Sequence, residues 1–203
     1  GTKKAYLFVQ PSEYFTRQLL IHEATHQFHF LSATGNTGPA AEWYTEGLAE
    51  YFGMHNWDGT TLRTGVVPAL SLEDYPAKAS GQLAELDDDA AAVALGLSRC
   101  DRPLAWALVH YLVNARPAWW SALSGRLDDG ELPSTAWANA CGEAGPDLGR
   151  ELRGWIDAHQ QPMRVAWIAW QERGELLEGK GAVVSAAFFK EAPASFDCEI
   201  ELV

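Results

Sequence analysis

Residues 22–26 read HEATH, two histidines four positions apart with a glutamate beside the first. Each residue of an α-helix advances about 100°, so positions four apart lie one turn above each other. His22 and His26 can therefore offer two imidazoles to one metal ion, with Glu23 flanking the open side. The same residues can also form the polar stripe of an ordinary helix whose histidines are hydrogen-bonded in a core. The surrounding sequence has to decide.

Upstream, AYLFVQ (5–10) is a short β-prone run that stops at Pro11, which predicts a strand. A helix capped by Ser12 should follow. Phe15, Leu19, His22, His26, His29 and Ala33 recur at steps of three and four and predict one inward-facing stripe that ends before Gly35. GNTGP (35–39) is loop chemistry, and Pro39 leads into a second helix, AAEWYTEGLAEYFG (40–53), closing at Gly53. Glu42, Glu46 and Glu50 share one face of it.

A catalytic zinc site takes three protein ligands and keeps its fourth position open. The second helix supplies a carboxylate in Glu46, separated from His26 by nineteen residues. Glu42 lies on the same face and is a rival for that place. One turn beyond Glu46, Glu50 can accept a hydrogen bond from the far nitrogen of a ligand histidine and so orient it. In an HExxH site the glutamate is not a ligand; it takes a proton from water on the metal and passes it to a leaving amine. Zinc brings that water's pKa to about 7 and polarises the carbonyl under attack.

The pairing of HEATH with EGLAE (46–50) resembles the gluzincins, the thermolysin-like clan of zinc metallopeptidases, in which a glutamate on the next helix completes HExxH. It is most similar to bacterial HExxH domains of the peptidase MA-like group, which carry W-x-x-EG-x-AEY. Trp43, Glu46, Gly47, Ala49, Glu50 and Tyr51 occupy those places. The resemblance implies a zincin-like fold and Zn2+ held by His22, His26 and Glu46. It also implies Glu23 as general base and Glu50 as the acceptor behind a ligand. It extends to WALVHYL (106–112), where such domains carry a similar helix. Many of them have a tyrosine at the start of that helix that steadies the oxyanion. This chain has Arg102 there, which can supply positive charge, with His110 or Tyr111 as alternatives.

Beyond the two helices that carry these residues, residues 54–78 are rich in Gly, Pro, Thr and Asp and read as a loop over a cleft. LDDDAAAVALGL (86–97) reads as a helix with an acidic start. Further helices are expected at about 102–115, 117–126, 131–141 and 147–159, the first capped by Asp101 with Pro103 in its opening turn. After residue 162 the pattern turns β-prone, and Phe196, Cys198, Ile200 and Leu202 alternate. The expected architecture is mainly α (α+β): a zincin-like domain over 1–161, then an incomplete β-sandwich-like segment over 162–203.

With 15 Lys and Arg against 27 Asp and Glu, the net charge of −12 repels a phosphate backbone, so no nucleic-acid partner is expected. No apolar run reaches the roughly 18 to 20 residues that span a bilayer. Cys100, Cys141 and Cys198 form no CxxC pair, which excludes a cysteine zinc knuckle and leaves a Cys100–Cys141 disulfide open. The chain opens on Gly1 without a basic, apolar leader, so the N-terminus does not give the cellular address; an extracytoplasmic or secreted one is favoured.

Other residues have plainer readings. His29 lacks the glycine and later histidine of a metzincin pattern and is expected to be buried and hydrogen-bonded. His55 reads as a surface loop residue. His110, mid-helix among apolar neighbours, is either a satisfied core histidine or part of the site. The tryptophans, Trp119 and Trp120 among them, read as core rather than sugar platforms. Asp87 to Asp89 read as a solvated helix start rather than a calcium site. The expected activity is hydrolysis of a peptide bond in a peptide or protein substrate. The alternatives are an inactive zincin-fold binding module and hydrolysis of a non-peptide amide or cell-wall cross-link.

Overall fold

A computed structural model of the chain describes residues 4–8, 13–32, 41–68, 70–71, 74–86, 101–142, 145–160, 164–165 and 197–201. Among these it is mainly α-helical. The helices are α1 (Glu13–Ser32), α2 (Glu42–Gly53), α3 (Tyr75–Ala84), α4 (Arg102–Ala115), α5 (Pro117–Asp128), α6 (Pro133–Cys141) and α7 (Gly145–His159). The strands are β1 (Lys4–Phe8), β2 (His55–Trp57), β3 (Leu62–Thr64), β4 (Leu70–Ser71), β5 (Arg164–Val165) and β6 (Asp197–Glu201). None of the described helices is long and apolar enough to cross a membrane.

The core is built around α4. Ala105 to Leu112 are buried without interruption, so this helix is apolar on every side and has to be surrounded. Against it pack Tyr44, Ala49 and Tyr51 of α2, Tyr75, Ala79 and Leu83 of α3, and Leu148, Leu152 and Ile156 of α7. Trp43 and Trp106 are buried, and Trp119, Trp120, Trp137 and Trp155 pack partly buried against this core. That is the structural role expected of them.

In α1 the most buried positions are Tyr14, Gln18 and His22, a stripe of period four; Phe15 and Leu19, on the neighbouring edge, are half-buried. His26 continues that stripe into the site described below. The predicted helices after residue 100 form within two residues of the expected starts and ends. Asp101 does stand at the N-cap of α4, yet its carboxylate makes no capping bond. It accepts instead from Gln82 of α3, and Pro103 tolerates the uncapped first turn because it has no N–H to satisfy.

Residues 54–78 are more ordered than a loop. β2 and β3 pair antiparallel, His55 with Thr64 and Trp57 with Leu62. Asp58 closes the hairpin by accepting from the backbone N–H of Thr60 at 3.0 Å and of Thr61 at 2.8 Å, the local bonding that suits Asp to tight turns. Asp74 then caps α3 through Ala77 N–H at 3.1 Å. His55, expected on the surface, is fully buried. Its Nδ1 donates to the Gly53 carbonyl at 2.8 Å, and its ring stacks on Tyr14 with centroids 4.5 Å apart. Two strands pair across long separations: β6 runs antiparallel to β1, with Lys4 opposite Glu201, and β5 runs parallel to β4. Ser12, the 35–39 loop, Asp87 to Asp89, Cys100 and most of 162–203 lie outside the described residues. Cys141 is buried with a free thiol, which burial pushes up to about 11.

Candidate metal centre

α1 and α2 lie side by side and bring three groups together. His22 Nε2 and His26 Nε2 face each other at 3.1 Å. The Glu46 carboxylate stands across from both, with Oε1 3.3 Å from His26 Nε2 and Oε2 3.5 Å from His22 Nε2. Among the described residues these three form a group whose ligand atoms converge within 4.8 Å. Glu42, the rival carboxylate, is exposed and outside that group.

The spacing itself tests whether a metal fits. Zinc bonds to imidazole and carboxylate are about 2.0 to 2.1 Å, so a tetrahedral ion sets its donor atoms about 3.3 to 3.4 Å apart. The two imidazole nitrogens, 3.1 Å apart, stand close to such an edge, and the Glu46 carboxylate faces one of them with each oxygen, at 3.3 Å from His26 and 3.5 Å from His22. Glu46 Oε2 is moreover a buried oxygen with no hydrogen bond, approached only at ion-pair distance by His22 and by Arg102. The residues present fit a zinc-sized cation.

Behind this group the electrostatics are organised by Glu50 and Arg102. Glu50 is buried and its Oε1 lies 3.4 Å from His22 Nδ1, opposite the nitrogen that faces Glu46. Burial raises its carboxyl above the usual range, offset in part by His22, Arg102 and a hydrogen bond from Tyr75. Arg102, from the first turn of α4, reaches Glu46 Oε2 at 3.3 Å and Glu50 Oε1 at 3.4 Å. His22 and then His26 beside its oxygens hold Glu46 well below the usual carboxylate range. The bond to Glu46 in turn raises His26. Glu23, half-buried on α1, is near enough that its charge contributes to the rise at His26.

The other sequence-predicted residues go elsewhere. His29 donates to Asp128 Oδ1 at 2.7 Å, an oxygen that also accepts from the Tyr44 hydroxyl at 3.0 Å, so it ties α1 to the end of α5. Tyr111 donates to Glu151 of α7 and accepts from Arg116 Nε at 3.0 Å. His110 is buried among the rings of Tyr51, Trp106, Trp155 and His159, and it lines a pocket whose described walls include none of His22, His26 and Glu46. Sequence reasoning missed Tyr75 behind Glu50 and Trp155 beside His110. Both belong to helices whose packing is set by long-range contacts, and no local motif marks them.

A family described as a protein of unknown function, DUF1570, matches residues 18–123, which take in HEATH, EGLAE and α4 up to His110 and beyond. That is over half of the chain, and the protein belongs to this family. No curated protein and no solved structure matches the chain.

Proposed function

We propose that the protein is a zinc-dependent metallopeptidase of the gluzincin type with a zincin-like domain. The observation that carries this reading is the convergence of His22, His26 and Glu46 at zinc-ligand spacing, with Glu50 on the outer nitrogen of His22. A bound zinc supplies a Lewis acid that polarises a peptide carbonyl and makes water acidic enough to react near neutral pH. Glu50, 3.4 Å from His22 Nδ1, is the acceptor toward which that nitrogen would turn its proton, which would leave Nε2 with its lone pair. Glu23, beside the cluster and outside the ligand set, takes the proton from water and returns it to the leaving amine. Arg102 brings a positive charge to the edge of the site, where a peptide carbonyl oxygen gains negative charge during hydrolysis.

The engagement of Arg102 by both Glu46 and Glu50 favours a second reading, a zinc-holding module with weak or no turnover, because that guanidinium is committed to the carboxylates. Two variants separate the readings. Wild type should hold about one zinc per chain and cleave unstructured protein substrates. Glu23→Gln should keep the metal and lose turnover by at least about 100-fold, whereas a module without turnover shows no cleavage in either form. Normal zinc content in Glu46→Ala would remove the basis of both.

A further inference from the structure

A second concave site lies apart from the metal centre, a cavity of about 410 Å³, within the roughly 300 to 1,000 Å³ of small-molecule pockets. Val66 and Val67 wall it after β3, His110 and Asn114 from α4, and Trp155 and His159 from the last turns of α7. His110 is eight residues beyond Arg102, about 12 Å along α4.

Two hydrogen bonds set its chemistry. Trp155 Nε1–H donates to His110 Nδ1 at 2.9 Å, which requires a lone pair there and puts the proton of the neutral ring on Nε2. Burial, with His159 nearby, pushes His110 down to about 4, so the ring is neutral at physiological pH. His159 Nδ1 lies 2.7 Å from the Trp155 carbonyl oxygen and must donate to it, so a neutral His159 has its lone pair on Nε2. One ring thus carries a donor and the other an acceptor. The Trp155 and His159 rings sit 4.1 Å apart, and His110 and His159 5.3 Å apart.

Charge is the remaining discriminant. In a chain of net charge −12, the described lining includes no carboxylate, lysine or arginine. A charged ligand would lose its hydration there with no carboxylate, lysine or arginine of the described lining to pair with. His110 and His159 are not a metal pair either, because His110 Nδ1 is taken by Trp155.

We propose that this pocket binds an uncharged, planar heteroaromatic ligand that packs on the Trp155 and His159 rings and hydrogen-bonds with His110 and His159. The proposal is independent of the zinc reading. The probe is nicotinamide, a neutral planar ring with an amide donor and acceptor, compared with nicotinate, its anionic isostere, by calorimetry and saturation-transfer NMR. The second protein is Ala158→Leu, which fills the pocket from an exposed wall position and keeps every hydrogen bond named above. Expected are saturable binding at one site per chain with Kd at or below about 1 mM, at least about tenfold weaker binding of nicotinate, and at least about tenfold weakening in a folded Ala158→Leu. Metal removal should leave all three unchanged. Absence of saturable nicotinamide binding up to about 10 mM, equal affinity for nicotinate, or unchanged binding in Ala158→Leu would overturn the proposal.

Discussion

Gly47 lies so close to Ala105 that a Cβ built on it would sit 2.6 Å from the Ala105 carbonyl oxygen and 2.8 Å from Val109 Cγ2. Only a residue without a side chain lets α2 approach α4 this closely. The approach matters because Glu46 precedes Gly47 on α2, while Arg102 lies one turn before Ala105 on α4. The glycine in EGLAE is thus a packing requirement that sets the distance between a candidate ligand and its counter-charge.

Gly47→Ala should therefore force the two helices apart and lower stability by about 3 kcal/mol, the upper range of overpacking costs. The gain in helix propensity from replacing glycine, about 1 kcal/mol, is too small to offset a backbone clash. Urea denaturation gives the stability change, and zinc titration of the folded fraction should show weakened binding. A variant as stable as wild type would mean that α2 and α4 have room to spare.

In the proposed zinc site Glu50 would act through His22, and through Glu46 by way of the Arg102 that both carboxylates share. Glu50→Gln keeps the shape but weakens the acceptor behind Nδ1, and loss of such a partner typically costs 10- to 100-fold in metal affinity. That is the expected change in a competition assay against a chromophoric chelator. Glu42→Gln, at an exposed position on the same helix, should leave zinc affinity unaltered. Equal effects of the two substitutions would point to general surface charge rather than to His22.

The contrast between these residues and His55 shows what a sequence can announce. HEATH and EGLAE are legible because helical spacing is local: once residues four apart are known to share a face, the donors follow. The encounter of the two helices is legible only through the spacing shared with similar sequences, since nothing in residues 27–45 states how α1 and α2 cross. His55 defeats a local reading because its burial depends on Tyr14, forty-one positions earlier, and on a hairpin whose Asp58 turn is visible only when the loop is parsed residue by residue. The pairing of β1 with β6 has no local signal at all, and the partner of His110 lies forty-five residues away.

Tyr111 is among the sequence-level alternatives for the oxyanion, and its surroundings give it a different task. Its hydroxyl joins Glu151 and Arg116, and Arg116 also pairs with Glu151 at 2.8 Å, so the group fastens α4 to α7. Tyr111→Phe should cost about 1.5 to 3 kcal/mol, the usual range for a hydrogen bond to a charged partner. It should leave zinc content and kcat/KM for any peptide substrate unaffected. A large fall in kcat with unchanged stability would return Tyr111 to the reaction.

His110 gives the fold an acid-sensitive point. The ring is buried, accepts from Trp155 in its neutral form, and is pushed from an ordinary 6.5 down to about 4. For a base whose folded pKa is lowered, the unfolded chain binds the proton first. Between pH 6.5 and 4 the unfolded state therefore holds more protons, and stability falls as the pH falls. The loss is complete once pH drops below the folded value and amounts to about 3 kcal/mol, because a tenfold difference in proton affinity between the two states is worth about 1.4 kcal/mol. Chemical denaturation at a series of pH values should show this decline in wild type. His110→Gln should be less stable near pH 7, because it loses the ring packing against Trp106 and Trp155, but should lack this component of the decline between pH 6.5 and 4. If both proteins lose stability in parallel over that interval, the acid sensitivity arises from other groups, and His110 is not held neutral by its surroundings.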